Sequence, residues 1–358
     1  MKKFGPQSTL AAALVAAVLG APAAMASPAI SGGVWFNYTA TKDNATQDEE
    51  KGALGGEALI LYINDAPEGK PYSFDAEVRY GPGAFTDPST NSTGDNFGIH
   101  QAEIGYKVSE TGKFAIGKTA VPFGWVNVNF WPGDMLMLGY GDQMDVGVKY
   151  SDSVAGLSYN LAYFHADDWG ETSTDTMDDN FAWGSSTTYR KVQTLVADAS
   201  YGIDGNQKVG LSVQAGKLQD LTNPNNANEI DGSHSAIALY YEGSFDAFSV
   251  KGELLKASRN LPDNYVTAAG LADDNNETKR AQLELGYAVG DFNFYLDANM
   301  AKSDDVDTVK AFAPGVSYNY GPGWVYVEYL SMDGYIGSDN DVIEGDFDAA
   351  YVTVDYYF

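Results

Sequence analysis

The feature that most limits how this chain can fold is the rhythm of its connections. Sixteen segments alternate apolar and polar residues with period two: 30–39, 53–63, 72–80, 97–108, 113–121, 143–150, 154–165, 191–201, 207–217, 233–243, 247–258, 278–289, 291–301, 310–320, 323–331 and 347–358. Period two is the signature of a β-strand whose two faces meet different surroundings. Every second connection is short and rich in turn formers: 64–71, 109–112, 151–153, 202–206, 244–246, Gly290 and Gly321-Pro322. The others are long: 40–52, 81–96, 122–142, 166–190, 218–232, 260–277, 302–309 and 332–346. Strict short–long alternation puts every long connection at one end of an up-and-down antiparallel sheet. A soluble sandwich has no reason to sort its loops in this way. Many of the segments reach the ~9–11 residues of a tilted membrane-crossing strand, against ~5–6 for a globular one.

The faces follow from the alternation. In 72–80, Tyr72, Phe74, Ala76, Val78 and Tyr80 oppose Ser73, Asp75, Glu77 and Arg79. In 291–301, Phe292, Phe294, Leu296, Ala298 and Met300 oppose Asn293, Tyr295, Asp297 and Asn299. The final eight residues set Val352, Val354, Tyr356 and Phe358 against Tyr351, Thr353, Asp355 and Tyr357, and the chain stops on the aromatic. Tyrosines recur at segment ends, where interfacial girdles belong. The first, fifth and tenth segments alternate poorly. Lys118 and Lys256 fall on the nominally apolar face, so a bulge or a shifted register is expected near them.

Lys2 and Lys3, the apolar run 10–19 and the small-x-small site Ala24-Met25-Ala26 read as a secretory signal peptide over 1–26. The mature domain, 27–358, then starts at Ser27 and loses two of the 21 basic residues. It keeps 19 against 49 acidic ones, a net charge of −30. No later stretch supplies the ~20 apolar residues of a membrane helix, so any crossing must be made by strands closed into a barrel. There is no cysteine, which removes disulfides and thiol chemistry.

A last strand with an apolar outer face, ending on Phe358 with Tyr356 two residues before, resembles the assembly signal of Gram-negative outer-membrane β-barrels. That family implies an all-β fold, a transmembrane antiparallel barrel of 16 strands, with the barrel-assembly machinery, the lipid bilayer and lipopolysaccharide as partners. In the trimeric porins of this class the third long loop folds into the lumen, and the resemblance implies a homotrimer and the same loop here. The third connection is the most apolar of the long ones, with Phe123, Trp125, Phe130, Trp131, Met135, Leu136, Met137 and Leu138 following Pro122. Packing inside the barrel accounts for so many large apolar groups in a loop. Asp134 and Asp142 would add negative charge at that constriction. The run Lys-Phe-Ala-Ile-Gly-Lys-Thr-Ala-Val-Pro-Phe-Gly at 113–124, after Tyr-Lys-Val at 106–108, is similar to the phosphate-selective-porin-like branch, where a Gly-basic-x-x-x-Pro-Phe-Gly run leads into the third loop.

Charge argues against carrying phosphate over, because phosphate-selective members line their channels with ladders of Arg and Lys. The inward face here is expected to carry Arg79, Lys107, Lys149, Lys251 and Arg280. Against them stand Glu57, Asp75, Glu77, Glu103, Asp145, Asp198, Glu242, Glu253, Glu284, Asp297, Glu328 and Asp355, an excess above two to one. Acidic rings in a narrow passage favour cations. The expectation is passive diffusion of small hydrophilic solutes and ions with weak cation preference, Lys118 and Arg79 forming a basic opposite wall. The alternatives are a selective channel for a sugar, an aromatic compound or an anion such as phosphate, using Trp125, Phe130 and Trp131 as an aromatic slide, and a plugged structural barrel.

Other chemistries find little support. His100, His165 and His234 are the only histidines, and no nucleophile elbow, zinc-protease motif or phosphate-binding glycine loop is present. His234 and Ser235 are neighbours on a strand and point to opposite faces. Acidic loop runs such as 273–274, 304–305 and 339–341 lack calcium-loop spacing, so neither a metal site nor a cofactor is expected. The acidity disfavours a nucleic-acid partner.

Overall fold

A strand with an apolar outer face exposes unpaired N–H and C=O groups along both edges, and in a membrane only a closed ring satisfies them all. A computed structural model, which describes residues 28–42, 44–81, 97–124, 144–166, 189–221, 229–303, 306–337 and 339–358, contains that ring. In chain order the strands are β1 (Ala29–Thr41), β2 (Ala53–Asp65), β3 (Tyr72–Tyr80), β4 (Phe97–Lys107), β5 (Lys113–Ala120), β6 (Met144–Val154), β7 (Leu157–Ala166) and β8 (Tyr189–Asp204). They continue with β9 (Gln207–Asp220), β10 (Gly232–Phe245), β11 (Phe248–Asn260), β12 (Asn275–Val289), β13 (Phe292–Ser303), β14 (Val309–Asn319), β15 (Trp324–Ile336) and β16 (Val342–Tyr357). Each pairs antiparallel with its sequence neighbours, and β16 closes onto β1. Among the described residues, two short helices, α1 (Ala45–Glu50) and α2 (Asp263–Ala269), sit in the first and sixth long connections. No described helix is long and apolar enough to cross a membrane.

The closing seam runs from Gly33 opposite Tyr357 to Thr41 opposite Ala349. Phe358 extends it by two backbone bonds, its N–H donating to Gly32 O at 2.9 Å and its C=O accepting from Gly32 N at 3.0 Å. A side chain at Gly32 would collide with the Phe358 ring and with Ile60 O, which is why the seam can close only on glycine there.

The expected faces hold along most of the wall. Val354, Tyr356 and Phe358 are exposed outward, while Tyr351, Thr353 and Asp355 are buried inward. The sequence boundaries differ mainly at the long-connection rim. Strands β15 and β16 continue to Ile336 and from Val342, because Ile336 and Val342 keep their inward positions beyond a register shift at Met332/Gly334. The last long connection thereby shrinks to 337–341. Strand β10 alternates cleanly, with His234, Ala236, Ala238 and Tyr240 inward and Ile237 and Leu239 outward.

Two assignments change and a third holds. Glu57 is exposed and leaves the inner wall, since the register shift between Trp35 and Asn37 hands that face to Ala58 and Ile60. Lys118 is 1% exposed, so it is not on the lipid face. The β4–β5 and β5–β6 registers run through Gly117 without a shift, so the burial of Lys118 is not a change of strand parity. Lys256 does point outward, half exposed, and is neutralised by Glu277 Oε2 at 2.7 Å.

Candidate channel interior

The third connection leaves β5 and turns into the ring. Val121 and Phe123 are buried in one cluster with Ala162 and Phe164 of β7, Val196 of β8, Ala236 and Ala238 of β10, and Leu255 and Ala257 of β11. β7 and β8 stand two and three places from β5 in the ring, and β10 and β11 five and six, so residues 121–124 pack inward against the side of the wall that follows β5. Pro122 holds the turn half-buried, and Gly124, at φ 66°, donates its N–H to Ser212 Oγ at 2.9 Å. Ser212 in turn donates to Asp198 Oδ1 at 2.7 Å. The poor alternation of segment ten now has a cause: its inward alanines are small and apolar because Phe123 packs there. Trp125, Phe130, Trp131, Asp134 and Asp142 lie outside the described residues. Replacing Phe123 by alanine removes an anchor worth about 3–5 kcal/mol when a phenylalanine is fully buried. The expected result is a rise in single-channel conductance with the barrel intact. Unchanged conductance would show that residues 121–124 do not seat the loop.

Acids dominate one wall. Glu284 of β12 lies in register with Asp297 of β13 on one side and Lys251 of β11 on the other. Lys251 Nζ is 3.2 Å from Glu284 Oε1, while neither carboxylate oxygen of Asp297 finds a hydrogen-bond partner among the described residues. Glu328 of β15 accepts from Tyr295 at 2.6 Å, and Glu253 of β11 accepts from Gln282 at 2.8 Å. Lys251 stands among these four carboxylates, while Arg280 of β12 and Arg259 of β11 lie nearer the long-connection rim. Asp355 lies lower, near the short-turn rim, where its Oδ1 accepts from Trp324 N at 2.6 Å.

Strand β5 stands eight places from β13 in the ring of sixteen, so the facing wall is built on β3–β6. There charges of both signs interleave. Lys113 bridges Asp75 at 3.5 Å and Glu103 at 3.3 Å, and Glu103 also accepts from Thr119 at 2.5 Å. Glu77 pairs with Arg79 at 2.6 Å. Lys149 donates to Ala120 O at 3.1 Å, and Asp145 is buried at the rim. Lys107 is exposed at the opposite rim. His234 bonds Thr194 Oγ1 at 3.0 Å and faces away from Ser235. The sequence reading missed Lys113, Lys191 and Arg259 as interior bases, and Lys118 is buried as well. Lys191 and Arg259 sit close to the long-connection rim. The acidic excess is therefore smaller than the sequence list suggested and is concentrated lower in the barrel.

At the mouth, two long connections meet. The tip of the last, 337–341, crosses the opening. Asp339 accepts from Tyr265 of α2 at 2.7 and 2.8 Å and from Tyr189, the first residue of β8, at 3.2 Å. Arg259 donates to the same Tyr189 hydroxyl at 2.8 Å, and the two tyrosine rings pack edge to face at 5.2 Å. Burial, and then the Asp339 carboxylate, hold Tyr265 above its ordinary pKa, which keeps it a neutral donor at physiological pH.

A closed sixteen-stranded antiparallel barrel with an apolar outside and a charged inside is a transmembrane β-barrel wide enough for an aqueous passage. No family model matches the chain, and no curated protein matches its sequence. Solved structures do share the fold. The outer membrane channel DcaP of Acinetobacter baumannii superposes with a TM-score of 0.65 at 14% identity, over 94% of this chain and 99% of that one. An anion-selective porin from Comamonas acidovorans reaches 0.60 at 13% identity, over 93% and 99%. The in-vitro folded outer membrane protein OmpT of Vibrio cholerae, in a trimer form, reaches 0.59 at 12% identity, over 92% and 99%. The likeness is one of fold.

Proposed function

We propose that this protein is a porin-type channel of a Gram-negative outer membrane, through which small hydrophilic solutes and ions diffuse with weak cation preference. The observation that carries the reading is the wall of Glu253, Glu284, Asp297 and Glu328 facing the interior with Lys251 as its counter-charge. In a confined passage such a wall raises the local cation concentration. The long connections then face outside and the short turns the periplasm. The third connection narrows the bore in this reading, which the packing of Val121 and Phe123 against inward side chains supports. Purified protein in a planar bilayer is expected to show discrete conductance steps and a modest cationic reversal potential in a salt gradient. Neutralising three wall acids together (E284Q, D297N, E328Q) should lower the cation-to-anion permeability ratio about twofold or more. A wild-type channel that prefers anions would overturn the acidic-wall reading. That outcome would favour a second one, an anion channel working through Lys191, Arg259 and Arg280 near the mouth.

Two partners fit this reading. A homotrimer is in keeping with the trimer form described for the Vibrio cholerae relative in fold. Lipopolysaccharide fits the outward lysines Lys256, Lys279 and Lys302, which stand in one cross-strand row on β11–β13 near the long-connection rim. Glu277 pairs with Lys256 at 2.7 Å and with Lys279 at 3.3 Å, and three lysines against one glutamate leave the row positive, which fits a surface that meets phosphate.

A further inference from the structure

The third connection is not the only segment that enters the barrel. Asn340, in the last long connection, is completely buried, and all four hydrogen-bonding positions of its side-chain amide are used. Its Oδ1 accepts from Arg280 Nη2 at 2.6 Å and from Thr278 Oγ1 at 3.0 Å. Its Nδ2 donates to Asn276 O at 2.9 Å and to Ala257 O at 3.2 Å. Thr278 and Arg280 are inward-facing residues of β12, three strands from β15, and Ala257 belongs to β11. The backbone of Asn340 is left-handed, at φ 61°, a conformation asparagine tolerates better than most residues. Beside it, Asp339 reaches Tyr189 and Tyr265 still farther round the ring. The roots of the hairpin, Ile336 and Val342, are buried in an apolar cluster on β13–β16.

The tip is thus a strap with an apolar foot on one wall and polar anchors on another. A loop held only by its own hairpin would not place a fully satisfied amide against a far strand. We infer that Asp339 and Asn340 are specificity-determining residues for permeation, pinning the last external loop across the mouth as a constriction separate from the third loop. The inference rests on the channel reading above.

The test compares single-channel conductance and polyethylene glycol exclusion for wild type and the D339A/N340A variant, with heat-modifiable gel mobility as the check on folding. The variant should conduct roughly twofold more and admit larger polymers, because bore sets flux in a narrow pore. A second variant, T278C/N340C, uses the absence of native cysteine. Its reduced form lacks the amide anchors but keeps those of Asp339, so it should fall between wild type and D339A/N340A, and oxidation or a short thiol cross-linker should return it to the wild-type level. Equal conductance and exclusion in wild type, D339A/N340A and both states of T278C/N340C would overturn the strap while leaving the channel standing. No conductance from any of them would overturn both.

Discussion

Replacing Leu254 with arginine should destabilise the barrel by about 2–4 kcal/mol, the cost of a cation on the lipid face near the bilayer midplane. Leu254 is 61% exposed and lies mid-strand in β11, whose outward neighbours across the sheet are Ile237 and Leu239 of β10 and Ala281 and Leu283 of β12. A charge there has no water to reach except by snorkelling past the apolar band. The adjacent residue gives the control. Glu253 faces the opposite way, 3% exposed and bonded to Gln282, so E253Q should leave unfolding in denaturant nearly unchanged and alter ion preference instead. Equal effects of L254R and E253Q on the unfolding midpoint would mean that the two faces of β11 are not lipid and lumen.

Removal of Phe358 is the second change expected to have a large consequence. The residue adds two backbone hydrogen bonds to the β1–β16 seam and an aromatic ring that is 63% exposed on the outer face. The two bonds contribute about 0.5–1.5 kcal/mol each and the ring about 1.5–3 kcal/mol once covered by lipid. Expressed from the full sequence in a Gram-negative host, the truncated chain should yield only a small fraction of the heat-modifiable, membrane-embedded form. Refolding in detergent separates two causes. A truncated chain that refolds normally in vitro but fails in cells points to lost recognition by the assembly machinery, and failure in both points to the seam. Wild-type yield in both settings would remove the terminal phenylalanine from any assembly role.

Much of this architecture is legible before folding, because a barrel strand is defined by its own local pattern. Residues 72–80 show both faces in nine letters, and the strand runs over that same span. The acids Glu284, Asp297 and Glu328 were recognisable for the same reason: each sits at an odd step between apolar neighbours. Lys191 was not. Gln193, at φ 53° within a break in the β8–β9 register, follows it. A local twist of one residue reverses every parity argument beyond it. Lys113 was missed more simply, since it opens its strand and has no preceding residue to set its face.

From the sequence alone came the closed sixteen-strand ring, its two unlike rims, its apolar outside and its acidic inside. These follow from hydrogen-bond satisfaction in lipid and from a side-chain period of two, neither of which needs long-range contacts. The tertiary structure alone decided what occupies the ring. Phe123 meets Ala236 and Ala238 across more than a hundred positions of chain, and Asn340 meets Arg280 across sixty. Such pairings leave no periodic trace: a loop residue has no face until the barrel around it supplies one.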